Sequence, residues 1–127
     1  MQFQKGSQLN FFAVVWLKYI SKKKIDLLNS GIVPIYEPGL EEILKKNYKQ
    51  KRLIFTSDLK KAVKNSDIIF ICVGTPTKKN SNSADLKFIF KVARDLKKVI
   101  TKYKIIITKS TVPVTTGDKI ERILVRL

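Results

Sequence analysis

Short apolar runs alternate with stretches of helical spacing along this chain. Phe11-Phe12-Ala13-Val14-Val15-Trp16-Leu17 is compact, apolar and rich in β-formers, and it predicts a buried strand. Lys22 to Asn29 predicts a short helix with Ile25 and Leu28 on one face, and Gly31 falls where a helix C-cap would end it. Pro34 and Pro38 make residues 32–38 a loop. Gly39 to Asn47 predicts a second short helix with Leu40, Ile43 and Leu44 turned inward. Leu53-Ile54-Phe55 predicts a short strand. Thr56-Ser57-Asp58 then offers capping oxygens to a helix over Leu59–Lys64. The run from Ile68 to Val73 is apolar at every position, the pattern of a central parallel strand covered on both faces. A polar loop over 74–84 leads to Asp85, which can cap a helix reaching about Lys102, with Leu86, Ile89, Ala93, Leu96 and Ile100 at helical spacing. Ile105-Ile106-Ile107 predicts another strand. Ser110 to Pro113 turns the chain into a last helix over Thr115–Leu124.

Strands alternating with helices predict an α/β fold with a parallel sheet and helices on both faces. The 127 residues suffice for one domain and not for two. There is no internal repeat and no low-complexity linker. A run of about 18 apolar residues, which a membrane-spanning helix needs, does not occur. The first residues lack the charge and cleavage pattern of a signal peptide, so no membrane partner is expected.

Composition narrows the chemistry. There is no histidine, which removes histidine-based triads, histidine general bases and histidine metal ligands. No metal site is expected. The single cysteine, Cys72, excludes an internal disulfide and suits a reducing, cytoplasmic compartment. Its place inside an apolar strand reads as a small core residue. Twenty-six Lys and Arg against ten Asp and Glu give a net charge of +16. The lysine pairs are spread along helical segments, as at Lys45-Lys46, Lys60-Lys61 and Lys97-Lys98, and read as solvated helix faces. A basic nucleic-acid-binding module is the rival reading. No aromatic stacking platform or nucleic-acid motif supports it, so no specific nucleic-acid partner is expected.

In open parallel sheets, ligands bind beyond the carboxyl ends of the strands. Two polar segments fall there. Val73-Gly74-Thr75-Pro76 follows one strand, and Lys109-Ser110-Thr111-Val112-Pro113 follows the next. Gly74 permits close backbone approach, and Thr75, Ser110 and Thr111 supply hydroxyls that donate and accept. Each segment alone is also ordinary turn sequence. Together, at successive strand ends, they suggest one shared crevice.

These two segments combine with Lys24-Ile25-Asp26-Leu27-Leu28-Asn29-Ser30-Gly31 and Pro34-Ile35-Tyr36-Glu37-Pro38-Gly39-Leu40, in this order and spacing. The combination resembles the UDP-glucose/GDP-mannose dehydrogenase family from about Lys22 onward. The resemblance implies residues 22–127 as part of a Rossmann-like NAD-binding domain, preceded by a divergent segment, residues 1–21. It implies oxidation of the C6 hydroxyl of UDP-glucose to a carboxylate through two hydride transfers to NAD. Thr75 matches a threonine that contacts the cofactor. Thr111 matches one near the nicotinamide that also places a catalytic water. Lys24 matches a basic residue beside the adenosine, although a solvent lysine on a lysine-rich helix start reads the same way. The segment from Tyr36 to Leu40 is a family marker to which no chemical role is assigned.

The departures are equally specific. The family's first strand leads into a Gly-x-Gly-x-x-Gly turn that cradles the pyrophosphate. Here only Gly6 precedes Gly31. The family's acidic residue at the end of its second strand aligns with Tyr19, which cannot accept two ribose hydrogen bonds as a carboxylate does. The family's catalytic cysteine, its substrate-binding lysine and asparagine, and its hydrolytic glutamate align beyond Leu127. The expectation is a chain inactive alone. The rival is a subunit completed by a second chain or by a homo-oligomer. In a 3-2-1-4 strand order, loss of the first strand also predicts a bare edge on Ile68–Val73.

Overall fold

The computed structural model describes residues 12–15, 22–78 and 83–125. Contacts divide the chain into two units, one of residues 1–15 with 59–127 and one of residues 16–58.

The first unit is built on three parallel strands in the order β1-β2-β3: β1 (Phe12–Val15), β2 (Ile68–Ile71) and β3 (Ile105–Thr108). Helices α3 (Leu59–Lys64), α4 (Lys87–Val99) and α5 (Thr116–Leu124) connect and cover them. The α4 helix packs against both α3 and α5. The sheet is therefore a Rossmann-like α/β layer, as the alternation predicts.

The strands form because Ile68-Ile69-Phe70-Ile71 and Ile105-Ile106-Ile107 are β-branched or aromatic and fit a pleated, covered surface. Burial is uneven across β2. Ile69 and Ile71 are fully buried, with Val73 beyond them, whereas Ile68 and Phe70 are half-buried. One face of the sheet thus carries the dry core. From α4 it receives Ile89, Val92, Ala93 and Leu96, and α3 and α5 add Val63 and Ile120. The stripe of Ile89, Ala93 and Leu96 is the one the helical spacing predicts.

Several expectations require correction. Ile68–Val73 has no bare edge: β1 pairs along one side of β2, with Phe12 opposite Ile68 and Val15 opposite Ile71, and β3 pairs along the other. Residues 12–15, within the apolar run the sequence shows, supply the missing neighbour. Leu53-Ile54-Phe55 is not a strand, and no ladder partner stands beside it among the described residues. An apolar run without a ladder partner is not a strand, whatever its residue types favour. The α4 helix stops at Val99 rather than near Lys102, because Ile100 turns to extended backbone at ψ 120°. Cys72 lies just past β2 and is half-buried rather than sealed in the core. Tyr19 lies outside the described residues.

The second unit contains α1 (Lys22–Asn29) and α2 (Leu40–Lys49). The α1 helix ends in a Schellman turn. Ile32 N–H donates to Leu27 O at 2.9 Å and Gly31 N–H to Leu28 O at 3.1 Å, with Gly31 left-handed at φ +80°. The α2 helix ends the same way. Arg52 N–H donates to Asn47 O and Lys51 N–H to Tyr48 O, both at 2.9 Å. Here the left-handed position is held by Lys51 at φ 57°. Leu40 and Leu44 are half-buried, but Ile43 is exposed rather than inward. A small apolar pocket is lined by Leu28, Val33, Leu44, Tyr48 and Phe55, with the last two rings stacked at 6.0 Å.

Candidate cofactor site

Because β2 and β3 run parallel, their carboxyl ends and the loops that leave them lie side by side. The ladder places Ile71 opposite Thr108. It is extended by one bond, from Lys109 N–H to Ile71 O at 3.0 Å. The next residue crosses back: Ser110 Oγ donates to Val73 O at 2.7 Å, with Ile71 O further off at 3.4 Å. A hydroxyl has one proton, so the shorter contact is the bond it makes. One step further, Thr75 Oγ1 donates to Thr111 O at 3.0 Å. The two polar loops are thus laced together twice, each time by a hydroxyl giving its proton to a main-chain carbonyl of the other loop.

This lacing fixes what the site can offer. The Thr75 proton is spent on Thr111, so toward a ligand Thr75 Oγ1 presents only lone pairs and accepts. The exposed hydroxyl of Thr111 can donate or accept. Gly74 is exposed, and a Cβ built on it meets nothing within 4 Å. The chain's own packing does not require glycine there, and the space beside it is open to solvent. The loop after Pro76 closes on itself through Asp85 N–H to Pro76 O at 2.7 Å and an antiparallel bridge of Thr77 with Ala84. Asp85 Oδ1 then accepts from Lys87 N–H at 3.0 Å and holds the first turn of α4, the capping role its position predicts.

The structure brings together Thr75 and Thr111 of the three candidate residues. Lys24 stands exposed on α1, in the other unit. Ser110, expected only as one of three hydroxyls lining the crevice, is the residue that ties the loops at the root. Its signal was available: it directly follows a strand whose parallel neighbour ends in Val73-Gly74-Thr75. Among the described residues, no group of three or more histidine, cysteine, aspartate or glutamate side chains is placed to hold a metal.

The fit to a dinucleotide is partial. Paired hydroxyls beyond adjacent carboxyl ends suit the polar edge of a nicotinamide and its ribose. The pyrophosphate requirement is not met, because no glycine stands between Gly6 and Gly31 to bring backbone amides close to phosphate.

Parallel strands, covering helices and a laced pair of polar loops at the strand ends define the nucleotide-binding layer of a Rossmann-like dehydrogenase. The chain belongs to the UDP-glucose/GDP-mannose dehydrogenase family, whose NAD-binding-domain model matches residues 11–126. The match starts ahead of Lys22 and includes β1. UDP-glucose 6-dehydrogenase of Rhizobium meliloti is 46% identical over 101 residues, covering 80% of this chain and 23% of that protein. UDP-glucose 6-dehydrogenase TuaD of Bacillus subtilis is 44% identical over 105 residues, covering 83% of this chain and 23% of that protein. Among solved structures, a GDP-mannose dehydrogenase from Pseudomonas aeruginosa superposes with a TM-score of 0.76 at 42% identity, over 83% of this chain and 24% of that one. A UDP-glucose dehydrogenase from Pyrobaculum islandicum superposes with a TM-score of 0.83 at 29% identity, over 98% of this chain and 34% of that one. The chain therefore spans about a quarter of the length of the curated relatives it matches.

Proposed function

We propose that these residues are the cofactor face of an NAD-dependent UDP-glucose 6-dehydrogenase, an enzyme that converts UDP-glucose to UDP-glucuronate. The observation that carries this reading is the Thr75–Thr111 lacing at the ends of β2 and β3, within a segment 46% identical to a UDP-glucose 6-dehydrogenase. When bound, NAD supplies the hydride acceptor. In this reading Thr75 accepts a hydrogen bond from the nicotinamide end, Thr111 holds a water by its exposed hydroxyl, and Lys24 sits toward the adenosine.

The 127 residues by themselves do not turn over UDP-glucose. They contain no histidine, and their one cysteine is half-buried beside an apolar strand rather than set in a polar, activating environment. Mixing the pure chain with NAD and UDP-glucose is expected to yield no NADH, and measurable NADH formation would refute the statement.

The family reading is tested separately. Residues 59–125 replace the matching segment of the Bacillus subtilis relative, and the chimera is assayed with UDP-glucose. Retained turnover supports the reading. A chimera that folds and is inactive overturns it.

A further inference from the structure

Helix α2 carries its charges in two blocks. Glu41 and Glu42 stand in its first turn, and Lys46 and Lys49 in its last. That order suits the helix dipole and by itself says nothing about a partner. Two further observations point outward. Glu41 and Lys45, four residues apart, are joined as an ion pair. Glu42 and Lys46 have the same spacing and the same favourable order, yet neither side chain has an ion-pair partner among the described residues. Beside both of them stands Ile43, 60% exposed. At the pitch of an α-helix, Glu42, Ile43 and Lys46 fall within about 100° of arc. The face is thus one acid, one apolar side chain and one base, all open to solvent.

We propose that this face docks a second copy of the chain, α2 against α2, in antiparallel order about a two-fold axis. An axis through the midpoint of Leu40–Lys49 sets Glu42 within about 1.5 Å, along the helix, of the level of Lys46 in the second copy. The same axis sets Lys46 beside Glu42 of the second copy, so one self-complementary patch makes two ion pairs at once. The two Ile43 side chains come within about 4.5 Å of each other's level and shield each other from water. Parallel helices would instead set acid on acid and base on base, which fixes the orientation. The patch also selects its occupant: a partner surface of a single sign would meet one of the two blocks with its own charge. The net charge of +16 opposes association at long range. In about 0.15 M salt, charges more than about 8 Å apart are largely screened, and the pairs in contact lie inside that distance. A ten-residue helix offers less than the roughly 1,200 Å² of a standard interface, so the dimer is weak and concentration-dependent. None of the residues assigned to the cofactor lies on α2, so the dimer stands or falls independently of that reading.

Sedimentation equilibrium of the 127-residue chain over a concentration series tests it, with far-ultraviolet circular dichroism as the check on helix content. The unaltered chain is expected to dimerise reversibly. Glu42→Lys and Lys46→Glu each set like charges opposite one another twice, and each is expected to weaken the dimer at least about tenfold. Mixed in equal amounts, the two variants face each other with opposite charges and are expected to dimerise again. The double variant Glu42→Lys/Lys46→Glu is expected to dimerise on its own. Rescue by mixing separates pairing from damage to the helix, because mixing leaves the charges within each helix unchanged. An unaltered chain that stays monomeric overturns the proposal and leaves the face to a partner of another sequence. Self-association that both single variants retain overturns it too, as does a mixture that stays monomeric.

Discussion

The side-chain hydroxyl of Thr75 and the main-chain carbonyl of Thr111 are joined by a 3.0 Å hydrogen bond across two loops 36 residues apart in sequence. The bond turns the ends of two neighbouring strands into one surface and fixes the direction in which Thr75 offers its lone pairs.

Thr75→Val keeps the shape and removes the donor. The Thr111 carbonyl then loses its protein partner at an exposed position, where water takes its place. Destabilisation of about 0.5–1.5 kcal/mol is expected, read from the urea midpoint with an unchanged slope. Thr75→Ser should restore most of it. A loss in Thr75→Ser with none in Thr75→Val would mean that the methyl group, not the hydroxyl, matters.

Leu96 is fully buried on α4. Leu96→Ala removes buried methyl groups and leaves a cavity that the surrounding core cannot fill without moving. A loss of about 2–5 kcal/mol is expected, enough to abolish a cooperative melt in a small domain. An unchanged melting temperature would refute the core assignment.

Lys104 carries a largely buried side chain in the first unit. Its side chain is 7% exposed, its ammonium donates to the Ser66 carbonyl, and Asp67 Oδ1 stands 3.9 Å away. The residue ties the amino ends of β2 and β3. Lys104→Met keeps the apolar stem but strands the Ser66 carbonyl, so about 1–3 kcal/mol of stability should be lost in chemical denaturation. Asp67→Asn should cost less, because Asp67 is half exposed and its attraction is screened. The reverse ranking would show that the ion pair outweighs the carbonyl bond.

Lys51 pays a conformational penalty at the end of α2, with φ at 57° where its Cβ is crowded. Gly31 fills the equivalent position after α1. Lys51→Gly should stabilise the second unit by up to about 1 kcal/mol, partly offset by the extra freedom of glycine when unfolded. Amide hydrogen exchange across residues 40–49 measures it, and faster exchange would contradict the strain assignment.

What the sequence showed and what it hid follow from the range of the interactions involved. Helices α1 and α3 match their expected limits to the residue, because their ends are set by neighbours: Gly31 beyond Asn29, and Thr56, whose Oγ1 accepts from Asp58 N–H at 3.0 Å, ahead of Leu59. The stripe of Ile89, Ala93 and Leu96 was legible for the same reason. Leu53-Ile54-Phe55 was misread because a strand is defined by a partner, and no local feature shows whether one is present. The slot taken by β1 was hidden likewise: its residues state that they are a strand, not beside which strand they lie. Thr75 and Thr111 were recognisable as a pair from their places after successive strands. That one uses its side chain and the other its carbonyl is a matter of backbone path, which residue types do not encode.

The parallel pairing of β1 with β2 also bears on how the chain is made. Phe12 leaves the ribosome long before Ile68 exists, and the whole second unit is synthesised between them. The nascent β1 segment is apolar and has no hairpin partner to shield it during that interval. Its fate depends on the pace of translation and on the holdase chaperones it meets before its partner strand emerges.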